Sequence, residues 1–207
     1  MDSLQLYKAA KSDKATKDYG FLRVFSPDTI PITSVTTSPC TFISNTQNSN
    51  QDGEHWVALH IDDCKRGWFF DSFGAPPKLD EFIAVLDHCQ DWTYNRVCLQ
   101  SLFSTACGQY CLFFIAHTAR GLSMDHIVNL LDQDDDKLVN DATVNSFVKN
   151  NFSIDDLHAI DLLFVFSQVS KVFESLSRVI VMSLLIVLSN YSHTRFNRIE
   201  QFCNLIL

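Results

Sequence analysis

Four residues of this 207-residue chain have types and positions suited to thiol chemistry: His55, Asp71, Gln100 and Cys107. Cys107 is followed at once by Gly108 and the apolar run YCLFFIA, which places it at the start of a helix. Unsatisfied N–H groups and the positive end of the helix dipole favour a thiolate there. Gly108 lacks the Cβ that would bar close backbone approach, as an incoming carbonyl requires. Cys111 lies one helical turn deeper and reads as core.

The base comes from a predicted hairpin. His55 to Ile61 (HWVALHI) alternates, with His55, Val57, Leu59 and Ile61 facing one way and Trp56, Ala58 and His60 the other. Residues 62–67 form the turn, and Trp68 to Phe73 (WFFDSF) form the returning strand. For a turn centred at residue 63 or 64, His55 and Asp71 fall directly or diagonally opposite, on one face. A carboxylate there can hold one imidazole nitrogen and leave the other free to take a thiol proton. Gln100, seven residues before Cys107, offers an amide donor to a developing oxyanion beside the Cys107 N–H. Trp56, next to the base, is placed to stack on or shield it. Taken singly, each has an ordinary reading: a core thiol, a surface histidine, an aspartate before a turn, a capping glutamine. Their order, on elements that suit their roles, is what points to nucleophilic catalysis.

Other elements must hold these residues. Residues 1–19 are polar and lysine-rich and read as a loose lead-in or a short surface helix. Short strands broken by Pro27, Pro31 and Pro39 fill residues 20–45, and TQNSNQDG (46–53) is a polar loop. The spacing of Phe82, Ile83, Val85 and Leu86 predicts a helix over 79–88. Residues 93–100 read as a strand and 107–120 as a central helix stopped by Gly121. Ser123 caps a further helix, and residues 132–136 are an acidic break. The expected organisation is a lead-in (1–19), one catalytic domain (20–152) and a helical C-terminal extension (153–207).

Composition narrows the function classes. Apolar residues make up 46% and charged residues 19%, with 17 phenylalanines, which suits one aromatic-rich core and excludes a disordered chain. A net charge of −8 argues against a nucleic-acid partner. Seven cysteines, an odd number without CxxC spacing or a secretory leader, argue for a reducing compartment (cytoplasm, nucleus or virion) and against a structural zinc. The apolar run Val179 to Leu188 is ten residues long, short of the ~20 that a helical membrane span needs.

At these residues the chain resembles the adenovirus-type (adenain-like) cysteine proteases, in the larger clan with the SUMO-deconjugating proteases, and especially those of Maverick/Polinton elements and related viruses. The resemblance is carried by GEHWVA (53–58), FDSFG (70–74) with Pro76-Pro77, and LQSLFSTACG (99–108). Tyr94-Asn95, QYC (109–111), FSPDTIP (25–31) and TFISNT (41–46) add to it, so that it covers roughly residues 19–131. It implies an α+β fold: a central mixed sheet flanked by helices, with the nucleophile at the N-terminus of a central buried helix. It further implies His55 as general base and acid, Asp71 as its orienting carboxylate, Gln100 as an oxyanion donor and Cys107 as nucleophile. Trp56 and Gly108 would lie near the substrate. The reaction would be peptide hydrolysis through a thioester, on virion precursor proteins at Gly-containing sites. The adenovirus enzyme is basic and uses DNA as a cofactor, which a charge of −8 does not suit, and this chain is expected to act as a monomer without cofactor, metal or membrane. An activating viral peptide, attached at Cys89 or Cys98, belongs to the adenovirus pattern; core or surface thiols are the commoner explanation of those two residues. The same motifs fit an isopeptidase for ubiquitin-like proteins, and the tail leaves open a decayed, non-catalytic binding module.

Overall fold

A computed structural model describes residues 1–153 except 37, 38 and 134. Strand formation begins where β-branched and aromatic residues alternate: β1 (Phe21–Phe25), β2 (Cys40–Asn45), β3 (Trp56–Ile61), β4 (Arg66–Phe70) and β5 (Asp91–Tyr94). They form one five-stranded sheet in sequence order. β2, β3 and β4 pair antiparallel, while β1 runs parallel to β2 and β5 parallel to β4. Parallel neighbours require crossovers. A 3₁₀ turn (Pro27–Thr29) and a short helix, α3 (Ile32–Val35), supply the first; α4 (Asp80–Leu86) supplies the second.

The alternation of each strand divides the core between the two faces of the sheet. Phe42, Val57, Leu59, Ile61 and Phe69 pack with Val35 of α3 and Phe82, Val85 and Leu86 of α4. On the other face, Ile43, Ala58 and Phe70 meet α5 (Cys107–Thr118). Nine of the 12 residues of α5 are buried, and Phe114 stacks on Phe70 with ring centroids 4.7 Å apart. Two further helices, α6 (Met124–Leu131) and α7 (Lys137–Asn151), complete this layer. The architecture is α+β, a mixed sheet between helices, with Cys107 the first residue of its most buried helix.

Three expectations are corrected. Residues 1–19 are not loose: they form α1 (Ser3–Ser12) and α2 (Lys14–Asp18). Leu6, Ala9 and Ala10, at i, i+3 and i+4, are fully buried against the α5 face of the sheet, and Asp2 with Gln5 closes a capping box. The strand expected over 93–100 ends at Tyr94. Beyond it the N–H groups of Leu99 and Gln100 both donate to the Ser72 carbonyl, at 2.9 and 3.0 Å, which draws the chain out of the ladder. The second hairpin strand runs over 66–70, so Asp71 stands just past its end.

Gly121, at φ +84°, ends α5 in the left-handed conformation that glycine allows, and Ser123 caps α6. Among the described residues no helix is long and apolar enough to cross a membrane. The expected helical stretches of 161–207, including the run Val179 to Leu188, lie outside the described residues.

Candidate active site

The β3–β4 ladder pairs Ala58 with Phe70 and Ile61 with Gly67, which centres the turn at residue 64. Continued outward, the same register sets Asp71 across from Val57 and diagonal to His55. Both residues stand one position beyond the strands, at the open end of the hairpin. There His55 Nε2 lies 2.9 Å from Asp71 Oδ1.

Asp71 is itself held. Its Oδ1 also accepts from the Phe73 N–H at 2.8 Å. Its backbone N–H donates to Asn95 Oδ1 at 2.8 Å, and Asn95 Nδ2 donates back to the Asp71 carbonyl at 2.6 Å. Asn95 is 3% exposed, so this two-way clamp is shielded from competing water. The chain then turns sharply: the Gly74 N–H donates to the Asp71 carbonyl, and a Cβ at Gly74 (φ +70°) would lie 2.7 Å from the Val97 carbonyl. Glycine is required there.

Cys107 arrives from the distant α5 with its thiol in hydrogen-bonding reach of the His55 side chain. Since Asp71 occupies Nε2, the nitrogen left for sulfur is Nδ1. Burial alone would push the imidazole pKa down; the hydrogen bonds to Asp71 and Cys107 and their charges outweigh it and raise it to about 9. Burial alone would likewise push the thiol up. The hydrogen bond with His55, the backbone of Trp56, the imidazolium charge and the backbone of Gly108 hold Cys107 below its ordinary value instead. Both shifts favour the same charge distribution, thiolate beside imidazolium. The next thiol of the helix has no such partner: burial pushes Cys111 far up.

Gln100 is 1% exposed and reaches the same cleft. Its Oε1 accepts from Ser72 Oγ and its Nε2 donates to the Ser104 carbonyl, both at 2.7 Å. One amide hydrogen is thereby committed and one is unspent. The cleft has a volume of about 810 Å³, and His55, Asp71, Gln100 and Cys107 line it together with Trp56 and Phe73.

Two sequence-derived roles change. The ring against the imidazole is that of Phe73, 5.1 Å away between centroids, while Trp56 Nε1 donates to the Met1 carbonyl at 3.1 Å. Trp56 still lines the cleft; Gly108 does not. A Cβ at Gly108 would meet Leu6 at 3.0 Å and Trp56 at 3.4 Å, so this glycine lets α1 and β3 close over the helix start. Sequence reasoning gave no function to Ser72 or Asn95, whose partners lie 28 and 24 residues away. Among the described residues no three His, Cys, Asp or Glu side chains gather as metal ligands.

No protein-family model matches the chain, and no curated protein matches it in sequence. Among solved structures it is similar to the ASFV pS273R protease, with 21% identity over 66% of this chain and 63% of that one, at a TM-score of 0.48. A selenomethionine form of that protease gives 27% identity over 51% of this chain and 44% of the other, at 0.36. The central domain of the uncharacterised Lpg1148 protein from Legionella pneumophila gives 13% identity over 72% and 96%, at 0.45. The chain thus spans less than two thirds of the length of the ASFV protease chains it is similar to.

Proposed function

We propose that this chain is a cysteine peptidase in which Cys107 is the nucleophile, His55 the general base and acid, Asp71 the orienting carboxylate and Gln100 an oxyanion donor. The observation that carries the reading is the imidazole set between a carboxylate at 2.9 Å and a thiol, on the wall of a cleft. The thiolate attacks the scissile carbonyl carbon. The tetrahedral oxyanion takes hydrogen bonds from the unspent Gln100 N–H and the Cys107 backbone N–H. Collapse breaks the C–N bond as His55 Nδ1 gives its proton to the leaving amine, and leaves a thioester. His55, now neutral, takes a proton from water. The hydroxide oxygen adds to the thioester carbon, and thiolate leaves to restore the resting pair.

The substrate is a polypeptide. The motif resemblance supports virion precursor proteins cleaved near glycines as the class, and ubiquitin-like conjugates as the alternative. Incubating the chain with Gly-Gly-containing peptides, a capsid precursor and a SUMO conjugate separates these classes. We expect cleavage in one set and its loss, by at least about 10³-fold, in Cys107→Ala at unchanged thermal stability. A Cys107→Ala protein that cleaves as fast as its parent overturns the peptidase reading.

A further inference from the structure

The triad and the oxyanion donor meet at one dipeptide. Asp71 holds the imidazole, and the next residue, Ser72, holds Gln100 twice over. The Ser72 carbonyl receives the backbone N–H groups of Leu99 and Gln100, and its hydroxyl donates to Gln100 Oε1 at 2.7 Å. A side-chain amide has two faces of opposite sense: Nε2 donates and Oε1 accepts. A half-turn about its last torsion would present an acceptor to a developing oxyanion, which repels it. At Gln100 the hydroxyl of Ser72 occupies the acceptor end and the Ser104 carbonyl the donor end, both inside the protein, where Ser72 and Gln100 are each 1% exposed. The Ser104 carbonyl can only accept and so selects Nε2, while the Ser72 hydroxyl, its proton turned to Oε1, anchors the other end of the amide.

We propose that Ser72 is a positioning residue: its hydroxyl locks the Gln100 amide with the unspent N–H available to the oxyanion. The inference rests on the peptidase reading and assigns it a residue that touches neither substrate nor nucleophile. Because its action is confined to the tetrahedral stage, Ser72 governs turnover and leaves thiol ionisation and substrate binding alone.

The test uses the full chain and whichever peptide it cleaves. Ser72→Ala is expected to lower kcat by about 10- to 100-fold, approaching the ~10²–10³ typical of losing an oxyanion donor outright, with KM within about twofold. A peptide aldehyde built on the same sequence forms a tetrahedral adduct and should lose affinity by the same factor. Iodoacetamide alkylation of Cys107, which passes through no oxyanion, should keep its rate and pH profile. In a Gln100→Ala background Ser72→Ala should add nothing. Ser72→Thr, which keeps the hydroxyl, should exceed the isosteric Ser72→Val in kcat; that pair carries the comparison if the alanine variant does not fold. If Ser72→Ala retains parental kcat while Gln100→Ala loses it, or if alkylation slows in step with kcat, the positioning role is wrong and the peptidase reading stands. If the parent shows no thiol-dependent cleavage, the peptidase reading fails first.

Discussion

Two histidines stand five residues apart in one hairpin, His55 at the mouth of β3 and His60 within it, and the protein drives them in opposite directions. Burial disfavours the charged form of both. His60 lies between the rings of Tyr19 and Trp68 with Thr41 Oγ1 2.8 Å from Nδ1, and burial brings it down to about 4 because the charges of Asp62 and Asp63 and the Cys40 backbone do not offset it. His55 rises to about 9 because a carboxylate and a thiol face it. Cys107 and Cys111 repeat the contrast one helical turn apart. Within one core, then, the partner rather than the depth decides which group stays charged.

The largest way to break this comparison is to remove the partner. Asp71→Asn should cost about 10³–10⁴ in kcat/KM, because it offers the imidazole no charge and disfavours the correct tautomer. In the parent, cleavage should rise as Cys107 ionises and fall again as pH passes about 9, where His55 gives up its proton. In Asp71→Asn the alkaline limb should move down toward the ordinary imidazole value. A limb that stays at its parental position would show that the carboxylate is not what retains the proton.

The next test sharpens the contrast at His60. The unfolded chain binds its proton near pH 6.5 and the folded chain only near 4, so stability is lost as pH falls across that interval. The parent should lose about 3 kcal/mol there on this account. His60→Leu should flatten the acid limb in urea midpoints measured from pH 7 to 4, with cleavage within about twofold of the parent. His55 has the opposite sign: its contribution to stability is whole below pH 6.5 and is lost as pH rises through about 9. The smallest effect is expected at the second thiol. Cys111→Ala should cost about 1 kcal/mol in stability and nothing in activity. Mass mapping after brief iodoacetamide exposure near pH 6.5 should find Cys107 modified and Cys111 untouched.

Local pattern was enough to read the base. The shared parity of His55 and Asp71 puts them on one face of a hairpin that turns at residue 64, and the length of the apolar run after Cys107-Gly108 reads as a helix. What escaped depends on contacts that no period encodes. Asn95 reads as one residue of a strand, yet its side chain clamps Asp71, and Ser72 shows its use only when Gln100 returns to it. The lysine-rich composition of residues 1–19 masked Leu6, Ala9 and Ala10, three side chains at helical spacing that suffice to seat α1 in the core. In the sequence Gly108 suggests openness, whereas the positions of Leu6 and Trp56 show that it serves closure.

The hairpin that supplies His55 and Asp71 closes over 16 residues, whereas Cys107 reaches them only when α5 has docked through contacts such as the Phe70–Phe114 stack. The imidazole–carboxylate pair is thus local in sequence, whereas the lowered Cys107 thiol depends on long-range packing. Under the proposed function, then, thiol activation belongs to the completed fold and not to the hairpin alone.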